Sequence, residues 1–164
     1  MATTAIETVR ATLAADATLV AIATGGVYSM NGSGRAPINE IDTPSVYATD
    51  ATSGIPIMLP CIVLSVTTEA VIGPVGIGRQ EWLRVSAYDP ATGYGNTSAM
   101  LNRVHTLLHD THIALTNGAW IHTDHVDTPY RVDVDETIET GYCGRKGASM
   151  EASRYTMTTG WGAY

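Results

Sequence analysis

The chain reads as an α+β domain: a mostly antiparallel β-sheet with helices packed on one face and a long, apolar-tipped β-hairpin. Three observations lead there. Helical periodicity appears in only two places, near the start and around residues 97–109. Strand-like alternation dominates elsewhere, with Asn117-Gly118 supplying a strong short hairpin signal. The order of elements is helix, short helix, strand, then several strands broken by one helix, which is not the regular βαβ alternation of a parallel sheet.

Each element has its own reason. Thr4 and Glu7 have capping-box spacing, and Ile6, Val9 and Leu13 recur on one face, so a helix is expected from about Ala5 to Ala15. Asp16 reads as the N-cap of a second, short helix carrying Leu19, Val20 and Ile22, stopped by Gly25-Gly26. Val27 to Met30 reads as a short strand. Residues 31–58 contain Pro37, Pro44, Gly54 and Pro56 without clear periodicity, and are expected to be a long surface loop or a segment that orders on a partner.

Cys61 to Thr67 alternates as a strand, with Ile62, Leu64 and Val66 on one face. A second strand places Leu83, Val85 and Ala87 opposite in phase to Trp82, Arg84, Ser86 and Tyr88. Between them, Ala70 to Gly78 is an uncharged apolar hairpin tip, the kind of exposed patch that marks an interface. A helix from about Thr97 to His109 has its stripe in Met100, Leu101, Val104, Leu107 and Leu108. His112–Thr116 and Ala119–Asp127 read as hairpin strands. Asp127 to Gly147 is polar, acidic and irregular, and Glu151–Thr159 reads as a final strand.

At 164 residues the chain is one domain, residues 1–164, with an insertion at about 31–58. Apolar residues make up 45%, enough for a core, whereas charged residues make up only 15%. A surface so poor in charge suits burial against other subunits. Nine basic and 16 acidic residues leave a net charge of −7, which argues against gripping nucleic acid through its phosphates. Met1 to Ala23 carries Glu7, Arg10 and Asp16 and lacks the apolar block of a signal peptide. The uncharged run from Ala51 to Thr68 is broken by Gly54, Pro56 and Pro60, which makes it a poor spanning helix, so no membrane association is expected. Cys61 and Cys143 match no metal or redox spacing and read as reduced thiols.

The residues do not assemble a catalytic constellation. His105 and His109 have the i, i+4 spacing that can hold zinc, but Thr106 stands where an HExxH motif needs Glu. His122, Asp124, His125 and Asp127 form the most ligand-rich run; on a strand, His122 and Asp124 share one face and His125 takes the other. The glycines at 73, 76 and 78 are in the wrong order for a dinucleotide loop. No cofactor, metal site or catalytic residue is expected. From His122 to Glu139 there are six acidic residues and one arginine, a local charge of −5.

One resemblance rests on the order and spacing of several segments: Leu13–Asp16, Leu19–Ile22 and Val27-Tyr28; Pro60–Ser65; Glu81–Tyr88 with Asp89 and Gly93; Asn102–Leu108; Asp127–Asp135; and Arg154–Met157. This order, over about residues 5–160, resembles the tail-terminator, or tail-completion, proteins of long-tailed bacteriophages. Residues 31–58 are longer than that pattern. The resemblance implies a structural protein, not an enzyme, assembled in the host cytoplasm and located in the virion at the tail neck. It implies a homo-hexameric ring at the head-proximal end of the tail tube that stops tube growth. The ring's partners would be the tail-tube protein and a head-connector or head-completion protein, with DNA only passing through the lumen.

Two residue-level expectations go with it. Val71, Ile72, Val75 and Ile77 are expected at the subunit or tube interface, because a closed ring needs one patch to meet a different patch on its neighbour. Asp124, Asp127, Asp133, Asp135 and Glu136 are expected to face the channel, where negative charge keeps phosphate from sticking. Other readings are a head-closure or tail-tube subunit, a small metal-dependent hydrolase using His122, Asp124, His125 or the helix histidines, and a binding module whose 31–58 loop holds a ligand.

Overall fold

The computed structural model describes residues 5–29, 60–72, 78–89, 94–115, 119–126, 130–132 and 149–161. Helix α1 spans Ala5–Ala14 and buries Ile6, Val9 and Leu13. Its first turn holds Glu7, which is 9% exposed and accepts hydrogen bonds from Arg10 Nε (2.9 Å) and from the Ser29 hydroxyl. Burial pushes the Glu7 carboxyl up, but those two bonds and the Arg10 charge outweigh it and hold the group below its ordinary value. Helix α2, Ala17–Ile22, starts as the sequence predicts: Asp16 is extended and its Oδ1 accepts from Leu19 N–H at 2.7 Å.

Strand β1, Gly26–Ser29, follows a turn in which Gly26 adopts φ +112°, a conformation that favours glycine. β1 pairs in parallel with β2, Cys61–Ile72, with Val27 opposite Ile62. This is the one parallel pair among the described strands, and the expectation of an antiparallel neighbour does not extend to it. A parallel pair needs a crossover of a dozen or more residues. The long stretch between Ser29 and Pro60 supplies that length, so it connects two strands of one sheet.

β2 and β3, Gly78–Asp89, form the long antiparallel hairpin, and one extra residue enters β2 between Val66 and Glu69 as a bulge. Helix α3 covers Gly95–Leu108, and Asp110 (φ 49°) turns the chain in a left-handed conformation into β4, Thr111–Ala114. β5 is Ala119–His125, β6 is Tyr130–Val132 and β7 is Ser149–Trp161. β6 lies inside the stretch read from sequence as irregular. With three residues, of which Tyr130 and Val132 have strand-forming character, the segment gives too short a run to show periodicity.

The sheet order is β1-β2-β3-β7-β5-β4, with β6 also on β7. β7 is therefore the hub: β3 runs along one edge, and β5 then β6 follow each other along the other. All three helices contribute to one core against one face. Val9, Leu13, Leu19, Met100, Leu101, Val104 and Leu108 pack with Ile62, Leu64, Leu83, Val85, Ile121, Tyr155 and Met157. The opposite face carries no described helix. It is buried at one end, where Val63, Tyr88, Met150 and Ala152 lie, and opens at the other, where Trp82 is 37% exposed.

Candidate functional site

The hairpin expected to meet a neighbour exists and is long. Val71 pairs with Arg79 and Ile72 with Gly78, so these two positions belong to the paired strands rather than to the tip. Val75 and Ile77 lie outside the described residues. Val66 is the last β2 side chain described against the core, so the hairpin runs six residues beyond it to Ile72.

Of the five acidic residues assigned to a channel, Asp124 is described; Asp127, Asp133, Asp135 and Glu136 lie outside the described residues. Asp124 stands on β5 opposite Thr156, on the helix-free phase of the sheet, with a side chain 48% exposed. Its Oδ1 lies 2.9 Å from His109 Nδ1. The same face presents Arg84 directly opposite Arg154 and Trp82 opposite Thr156. The described part of this face is thus mixed in charge, not uniformly acidic.

All five histidines of the chain gather at the β4–β5 edge, in two groups on either side of it. On the helix side, His105 and His109 stack with centroids 4.7 Å apart, and His125 meets His105 edge-on at 4.7 Å and Tyr155 at 5.1 Å. On the helix-free side, His112 lies opposite His122, rings 4.3 Å apart, with Trp120 beyond. His112 therefore belongs to β4, in keeping with the strand expected from His112 to Thr116, and faces a strand partner. The register keeps His122 and Asp124 in one phase and His125 in the other, as alternation requires. Among the described residues no three His, Cys, Asp or Glu side chains converge in a way that could hold a metal ion.

Two buried polar groups escaped the sequence reading. Glu151 of β7 is 3% exposed and accepts from the Thr97 and Ser98 hydroxyls at 2.8 and 2.7 Å. It places a carboxylate at the N-terminal turn of α3, where the helix dipole favours negative charge. Thr97 is legible as a first-turn residue, but nothing in sequence links it to a strand 54 positions away. Tyr155 is fully buried between α3 and the sheet, and its hydroxyl has no hydrogen-bond partner among the described residues. Burial pushes this phenol far up, so it stays neutral.

Cys61 is buried and takes part in no disulfide, and Cys143 lies outside the described residues. No helix among the described residues is long and apolar enough to cross a membrane.

No family model matches this sequence, and no curated protein matches it either. The fold, in contrast, is similar to that of a chain in the virion of a native gene transfer agent particle. The two superpose with a TM-score of 0.56 at 15% identity, over 93% of this chain and 91% of the other, so the likeness is one of the whole fold and not of a shared fragment.

Proposed function

We propose that this chain is a structural subunit of a phage-like virion, and within the particle a tail terminator. The observation that carries the reading is the likeness to a gene transfer agent virion chain over nearly the full length of both chains. The order of segments from residue 5 to 160 supports the finer assignment. In this reading six copies close into a ring on the head-proximal end of the tail tube, end its growth and offer a surface to the head connector. DNA passes through the lumen without specific contacts. The hairpin end at Val71, Ile72, Val75 and Ile77 meets a neighbouring subunit or the tube, and Asp124 with Asp127, Asp133, Asp135 and Glu136 contributes charge to the channel. A charged-residue content of only 15% suits a subunit whose surface is covered on several sides.

Native mass spectrometry over a range of concentrations tests this. The chain has a mass of 17.4 kDa, and a closed ring of six gives a species of roughly 104 kDa with no metal mass added. Long polymers without an end point to a tube subunit instead. A monomer carrying one tightly held zinc overturns the structural reading in favour of a hydrolase.

A further inference from the structure

We propose that the corner formed by the end of α1 and by α2 is the seat in which the hairpin end of a second copy of this chain docks, so that subunits join head to tail. The proposal rests on the reading above, in which the hairpin end meets a neighbouring subunit, and it names the surface that is met.

From Ala11 to Val27 the chain carries one charged residue, Asp16. Its carboxylate is used inside the molecule: it accepts from Leu19 N–H and receives Arg103 at 3.0 and 2.6 Å. The segment therefore presents no unbalanced charge to a neighbour. One side of α2 serves the core through Leu19, with Ala23 just after it, both fully buried. The other side is open: Ala14, Ala15, Ala17, Thr18, Val20 and Ala21 are exposed. Val20, at 38%, is one of three large hydrophobic side chains exposed among the described residues. Uncharged, partly hydrophobic surface of this kind marks an interface. The small residues around Val20 also leave room for bulk from outside, and well-packed layers set large side chains against small ones. The hairpin end supplies that bulk in Val71, Ile72, Val75 and Ile77, within a stretch equally free of charge from Ala70 to Gly78.

Geometry makes this a contact between copies. α2 leads to Gly25, whose N–H donates to Pro60 O at 2.8 Å, immediately before β2 begins. The hairpin end, at Ile72 and Gly78, is the far end of β2 and β3. The 12 residues of β2 set the two ends roughly 35 Å apart. The five residues between Ile72 and Gly78 are too few to cross that distance and return. The hairpin end cannot sit in its own corner, so each copy offers one end to a neighbour and one seat to another. That is a heterologous contact, the kind a closed ring requires. A corner that met its own counterpart would form a two-fold contact instead and stop at a dimer.

The test is native mass spectrometry, over a range of concentrations, on four samples of the full chain: wild type, a corner variant (Val20→Lys with Ala21→Lys), a hairpin variant (Ile72→Asp with Ile77→Asp), and the two variants mixed in equal amounts. Lysines in the last turn of a helix suit its dipole, so the corner variant is expected to keep its Tm within a few degrees. Each variant alone is expected to stay monomeric where wild type assembles. The mixture is expected to recover species of about 35 kDa or more, because the intact hairpin of one variant meets the intact seat of the other. A corner variant that assembles like wild type, or a mixture that stays monomeric, overturns the proposal and leaves the hairpin reading standing. A hairpin variant that assembles like wild type removes the reading on which the proposal rests. A wild-type chain that stops at a dimer or stays monomeric overturns the head-to-tail contact as well. If the corner variant does not fold, Ala14→Lys with Ala15→Lys takes its place, and the same outcomes apply.

Discussion

Trp120 and Gly160 show how much one residue depends on a neighbour the sequence does not reveal. They are register partners on β5 and β7, and the indole occupies the space where a side chain at position 160 would begin. A Cβ added at position 160 would come within 2.1 Å of the indole Cζ2, closer than any real contact, so the ring must move. Gly160→Ala is expected to destabilise the fold by about 1–3 kcal/mol, the usual cost of overpacking. Chemical denaturation measures this, and Trp120→Leu in the same background is expected to recover much of the loss, because the two positions are coupled. Additive effects would show that the indole is free to rotate away. In sequence, Trp120 is legible as a strand residue, whereas Gly160 falls just beyond the final strand expected at Glu151–Thr159. Their contact depends on register across a loop, which no local pattern records.

At the scale of elements, the helices were legible nearly to the residue, because caps and periodicity are local. Asp16 was readable as an N-cap; its second role was not. Arg103 of α3 reaches it through Nε at 3.0 Å and Nη2 at 2.6 Å, tying α3 to α2 across 87 positions. The Arg103 bonds, the Leu19 N–H bond and the nearby charge hold the Asp16 carboxyl at about 2, and Asp16 raises Arg103 in turn. Since the folded value lies below the unfolded one, the stabilisation is fully present above about 4 and is lost as pH falls toward 2. Asp16→Asn keeps a capping oxygen but removes the charge. It is expected to flatten the fall in stability between about pH 4 and pH 2, read as Tm against pH. An unchanged slope would mean that the ion pair does not form in solution. The strands were less legible: β1 is parallel only because a long crossover precedes β2, and β6 is too short to show a period. The two histidine groups were half visible, as i, i+4 spacing on a helix and as alternation on a strand, but the sheet edge that brings them together is a property of topology.

For the whole molecule, the order of elements carried more information than any residue identity. The likeness to a virion chain at 15% identity spans 93% of this one, which means that the path of the chain is shared while the side chains are not. Contacts between subunits must then be argued from this chain's own surface. The hairpin end is the strongest candidate, because β2 and β3 stay paired to Ile72 and Gly78 and the stretch from Ala70 to Gly78 carries no charge. A ring needs heterologous contacts that close, and an apolar protrusion seated in a neighbour provides one half of such a contact. Introducing Ile72→Asp together with Ile77→Asp places two charges at that seat, and desolvating them there is costly. If the hairpin end stands free of the core, the monomer keeps its Tm within a few degrees, because surface changes cost about 0.5 kcal/mol or less. Assembly, read by native mass spectrometry beside wild type, is expected to stop at the monomer. A double variant that still closes the ring removes the hairpin end from the interface. One that unfolds shows instead that this end is held by its own sheet, and that the apolar tip serves the fold before it serves assembly.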